Sequence, residues 1–133
     1  MNDNTNNTST NVTPKEDIQV EYAIMDTDIT QKELDELKVK YKKIFRSYFI
    51  DKTYVWHRLN RKDFNQICAD TESIKDEDEL IAAREKEFCK ACVIYPRQEE
   101  MLNIIEEDDI VASKISQEIL YRSGFYAPVT NEV

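Results

Sequence analysis

The sequence predicts a small α+β domain, mostly helical, with one β-hairpin and a disordered N-terminal tail. Three observations predict it. Residues 44–59 hold two aromatic and β-branched runs around the polar pair Asp51-Lys52. Residues 30, 60, 76 and 109 each offer a side-chain oxygen at the start of an apolar-periodic segment, the signature of a helix N-terminus. The first fourteen residues are nearly all Asn, Thr and Ser, with Val12 the lone aliphatic side chain after Met1. Such a segment buries too little apolar area to offset its ordering entropy. The expected organisation is a tail over 1–15, one domain over 16–128 and a short C-terminal tail over 129–133.

Within the domain, 18–24 alternates apolar and polar residues and reads as an added edge strand. Thr30 and Glu33 form a capping box for a short helix to about residue 40, with Leu34, Leu37 and Tyr41 as its stripe. The hairpin follows. Asp51-Lys52 is a poorer turn than Asp-Gly, because lysine resists positive φ. Asn60 caps the next helix, with Phe64, Ile67 and Cys68 facing inward. After an acidic linker over 70–78, carboxylates at 76–79 favour a helix start. That helix runs to about residue 93 with Ile81, Phe88 and Cys92 on its inner side, and Pro96 blocks its continuation. The patch 101–105 reads as a single helical turn. Asp109 opens the last helix, and Ser123-Gly124-Phe125 ends it, with the chain's one glycine at the left-handed position.

Composition narrows the function. With 41% hydrophobic and 34% charged residues, the chain has a modest core and a heavily solvated surface. One glycine rules out a Gly-rich phosphate loop. Residues 30–69 carry ten basic and five acidic side chains, a balance of +5, within a chain of net charge −9. An acidic chain repels nucleic acid overall, so the basic middle points first to an acidic protein surface. Three cysteines make no disulfide framework, and no signal peptide or membrane-spanning run is expected.

Cys89-Lys90-Ala91-Cys92 is half of a zinc motif, and Cys68 and His57 are the only further ligands of soft type. Inside an amphipathic helix, thiols three apart read better as small core hydrophobes. The lone His57 has no nucleophile in sequence register, so no catalytic residue is expected, and neither metal nor cofactor. The acidic runs 76–79 and 106–109 lack the spacing and glycine of a calcium loop. The hairpin is the expected docking surface. A ribbon has two faces, and only one lies on the helices of so small a domain. Lys38, Lys42, Lys43 and Arg46, with Tyr48, Tyr54 and Trp56, are the expected interaction residues; Lys40 completes the basic cluster.

Three stretches carry a family resemblance: 54–64, a strand stepping into a helix; 84–96, the helix that ends at Pro96; and 119–125, the helix stop at Gly124. Carried by these, the segment from Val55 to Phe125, about half the chain, resembles small proteins encoded among the tail genes of tailed bacteriophages, of the tail assembly chaperone or baseplate-hub assembly kind. In this resemblance Asn60 stands for a threonine cap and His57 for an arginine. The resemblance implies a non-enzymatic protein of the host cytoplasm, or of the virion itself. It would bind other tail or baseplate proteins and is also open to self-association. No active-site residue carries over. The alternatives are a small nucleic-acid-binding regulator using the basic hairpin region and, third, a zinc-stabilised adaptor.

Overall fold

The computed structural model describes residues 22–133, and the chain divides into two compact units, 1–36 and 37–133. The tail expected over 1–15 and most of the strand expected over 18–24 lie outside the described residues. In the first unit, Tyr22 and Thr30 form an isolated bridge. Between them the Thr27 hydroxyl donates to the Ile24 carbonyl at 2.8 Å and accepts from the Ile29 amide at 3.2 Å.

Helix α1 (Gln31–Tyr41) starts where the Thr30 hydroxyl accepts from the Glu33 amide at 3.1 Å. It ends on Lys42, whose φ of 69° turns the chain into strand β1 (Ile44–Phe49). Strand β2 (Lys52–His57) returns antiparallel, pairing Phe45 with Trp56 and Phe49 with Lys52. The turn is therefore Ile50-Asp51, one residue earlier than the sequence suggests. Both residues have positive φ, 49° and 60°, as a type I′ turn requires. A β-branched residue resists that conformation. Replacing Ile50 by Asn and Asp51 by Gly should relieve about 1–2 kcal/mol of turn strain. The thermal midpoint should rise by about 4–8 °C for each kcal/mol gained, measured by calorimetry on the two variants.

Helices α2 (Arg61–Thr71) and α3 (Glu77–Cys92) follow, capped by Asn60 and Asp76 as their side chains predict. Asn60 accepts from the Asp63 amide at 2.8 Å, and Asp76 from the Glu79 amide at 2.9 Å. The helix expected to reach residue 93 gives way at Cys92 to a third strand, β3 (Val93–Tyr95). It pairs antiparallel with β2, so the sheet order is β1-β2-β3 and the hairpin is part of a three-stranded sheet. The single turn expected at 101–105 is a full helix, α4 (Gln98–Glu107), and α5 (Asp109–Arg122) completes the fold. At its end the Phe125 amide donates to Leu120 and the Gly124 amide to Tyr121, a Schellman stop, with Gly124 at φ 84°. The outcome is the small, mostly helical α+β domain that the sequence predicts.

The core forms where the sheet meets α2 to α5. Tyr54, Trp56, Phe88, Cys89, Ile105, Ile115 and Ile119 are among its buried residues. Trp56 stacks on Phe45 with ring centres 4.6 Å apart and donates from Nε1 to the Ser47 hydroxyl at 2.9 Å. Ile81, expected inside, is 49% exposed. Among the described residues, no helix is long and apolar enough to cross a membrane.

Candidate protein-docking surface

Strand pairing fixes which hairpin side chains share a face. Phe45, Ser47 and Phe49 lie across from Trp56, Tyr54 and Lys52, and this is the face that packs on the core. Ile44, Arg46 and Tyr48 share the opposite face with His57, Val55 and Thr53. Tyr54 and Trp56, expected among the docking residues, are each 1% exposed. They are withdrawn into the core and leave the docking surface; burying two large rings is what holds the sheet onto the helices. The opposite face is not bare either, since Val55 is fully buried and Thr53 is buried beside it.

What remains of the expected surface comes from β1 and from the last turn of α1 just before it. Tyr48 is 61% exposed, and Arg46, Lys38, Lys40, Lys42 and Lys43 are all exposed. None of these five cations stands in an ion pair with a described carboxylate, although Lys40 lies 5.1 Å from the Tyr41 ring centre. More positive charge meets the core-side rim of the same strand. Arg58 and Arg122 stand 5.7 and 6.0 Å from the centre of the Phe45 ring. The acidic run 106–109 is differently placed, because Glu106 and Asp109 each lie 3.7 Å from Lys86, and Asp108 caps α5 by accepting from the Ile110 amide.

Strand β1 is one of the sheet's two outer strands, and among the described residues nothing pairs with its free edge. In a two-residue hairpin the pair flanking the turn exchanges hydrogen bonds, and bonded and non-bonded pairs then alternate. Phe49–Lys52, Ser47–Tyr54 and Phe45–Trp56 are the bonded pairs. The amides and carbonyls of Ile44, Arg46 and Tyr48 consequently point outward.

The chemistry-bearing residues singled out in the sequence are tied into structure. Burial pushes the Cys89 and Cys92 thiols up to about 12, so both stay protonated at neutral pH. Among the described residues, no group of three or more His, Cys, Asp and Glu side chains is placed to hold a metal ion. The His57 ring stacks on Tyr41 at 3.7 Å, nearly parallel, and its Nδ1 lies 2.7 Å from the Arg58 carbonyl, to which Nδ1–H donates.

Burial lowers the His57 pKa below its ordinary value; the nearby Lys40 charge acts in the same direction, and hydrogen bonds to the Arg58 and Ala91 carbonyls oppose it. The unfolded chain then binds the imidazole proton more readily than the folded one. The stability held by neutral His57 is complete above the unfolded value of ~6.5 and is lost as pH falls through the lower folded value. Denaturant midpoints taken from pH ~7 to ~5 should fall more steeply for the wild type than for His57→Gln.

A concavity of ≈ 340 Å³ opens between α2, α3 and α5, lined by Phe64, Ile81, Phe88, Leu120 and Tyr126. The Arg84 guanidinium at its wall is occupied, donating to the Thr71 hydroxyl at 2.8 Å and the Cys68 carbonyl at 3.1 Å. Sequence reasoning missed this groove because its apolar residues come from three separate helices, and Ile81 and Leu120 fit an inward stripe equally well.

The fold is similar to that of a solved structure of an uncharacterised protein from Bacillus stearothermophilus, with a TM-score of 0.56 and 17% sequence identity over 74% of this chain and 99% of that one. At this identity the likeness is one of fold. No protein-family model matches the chain, and no curated protein matches it.

Proposed function

We propose that this chain is a non-enzymatic assembly protein of a bacteriophage tail or baseplate, acting in the host cytoplasm or within the virion by binding other tail proteins. The observation that carries the binding role is the edge of β1. An outward row of backbone donors and acceptors lies beside exposed Tyr48 and five cations that have no described carboxylate partner. Lys38, Lys42, Lys43, Arg46 and Tyr48 form its docking surface. The tail context rests on the resemblance over 54–64, 84–96 and 119–125.

The test is co-expression of the full chain with the tail-tube, tape-measure and baseplate proteins encoded beside it. One of them should become soluble and purify with the chain in fixed stoichiometry. Failure of every such partner, together with a nanomolar, steeply salt-dependent complex with DNA or RNA, would favour the nucleic-acid regulator instead. Ordinary non-specific contacts are weaker, about 10⁻⁴–10⁻⁶ M at physiological salt.

A further inference from the structure

We infer that the free edge of β1 takes up an extended segment of a partner protein as a fourth strand, and that this segment alternates acidic and apolar residues. The inference deepens the docking role proposed above and rests on it.

An edge strand is a template for another chain, because its outer amides and carbonyls lack a ladder. On β1 these belong to Ile44, Arg46 and Tyr48. A strand added there extends both faces of the sheet, and each face asks for a different side chain. On one face the incoming residues stand beside Ile44, Arg46 and Tyr48, and Lys43, just before the strand, adds positive charge nearby. Carboxylates there gain cross-strand ion pairs with cations that have no described partner. On the other face they meet Phe45 and Phe49, half-buried at the rim of the core. Apolar residues there cover the exposed parts of those rings.

The same charges argue against a second copy of this chain. Two β1 edges paired about a two-fold axis at the centre of the strand would set Arg46 opposite its own copy, and like charges across a ladder repel. An acidic strand turns that repulsion into attraction. The occupant that fits is thus a partner segment, recognised through its backbone and its alternating carboxylates.

The test titrates the isotope-labelled full chain with a blocked hexapeptide, Glu-Val-Glu-Val-Glu-Val, followed by NMR. Amide shifts should centre on Ile44, Arg46 and Tyr48. Two further peptides of equal composition separate strand addition from simple attraction. With the peptide antiparallel to β1 and Glu opposite Arg46 and Tyr48, the Glu amides face β1 and the Val amides face away. N-methylation of the three Glu residues should weaken binding at least about tenfold, and N-methylation of the three Val residues should leave it nearly unchanged. A Lys-for-Glu peptide should not bind. If the two methylated peptides bind alike while Lys43→Glu with Arg46→Glu still weakens them, strand addition is overturned and the docking surface stands. If neither change matters, both fail. Shifts at Ile44, Arg46 and Tyr48 on diluting the chain alone would show a second copy on the edge and overturn the inference.

Discussion

Trp56→Ala is expected to cost about 3–5 kcal/mol, a large share of the ~5–15 kcal/mol that holds a domain of this size together. Trp56 is 1% exposed; it stacks on Phe45 and joins the core residues of β2, α3, α4 and α5. Removing it empties the seam between sheet and helices, and a close-packed interior relaxes only partly into such a cavity. Its amide-like handle is worth less. Trp56→Phe keeps an aromatic ring for the stack and loses the Nε1 donor to Ser47, so about 1 kcal/mol is expected from the bond and a further part from the smaller ring, the total below that of Trp56→Ala. Tyr48→Ala, on the exposed side of the same hairpin, should stay within about 0.5 kcal/mol of wild type. Denaturant midpoints of the three variants check the ranking. A Trp56→Ala protein as stable as Tyr48→Ala would return Trp56 to the surface and undo the assignment of faces.

That assignment was partly legible in the sequence. In any hairpin with a two-residue turn, odd positions of the first strand share a face with even positions of the second. Tyr48 therefore cannot lie on the same side as Tyr54 and Trp56, whether the turn is Asp51-Lys52 or the observed Ile50-Asp51. Placing Tyr48, Tyr54 and Trp56 together on the docking surface ignored that parity. The turn itself was misplaced because Ile50 is among the residues least suited to positive φ. Helix starts at Thr30, Asn60 and Asp76 were legible because capping is local chemistry. Helix α4 was read too short for the opposite reason, since the residue at its N-cap, Arg97, supplies no side-chain cap to the helix amides. Strand β3 has three residues, too few to show a period, and exists because β2 offers it a ladder. Cys89 and Cys92 packed as the small core hydrophobes expected of them, both fully buried. Ile81 fits the inner stripe of α3 by spacing, but α3 meets the rest of the domain at a groove there, which leaves Ile81 at its rim.

The basic row along β1 is the part of the account on which its function turns. Lys43 and Arg46 are exposed and have no described ion-pair partner, so reversing them disturbs no observed contact. Lys43→Glu with Arg46→Glu should leave circular dichroism and the thermal midpoint near wild type. As charges at the rim of an interface, they act mainly on encounter. Association with the copurifying partner should slow by about tenfold or more and lose much of its salt dependence. The comparison is reversal of the acidic run, Glu106→Lys with Glu107→Lys. Association rates of both double variants and the wild type, measured across a salt series, give the most direct answer. The account predicts slow, salt-insensitive association for the hairpin variant and near wild-type rates for the acidic one. Wild-type association of the hairpin variant, with binding lost in the acidic one, would place the docking surface on the C-terminal helices and contradict it.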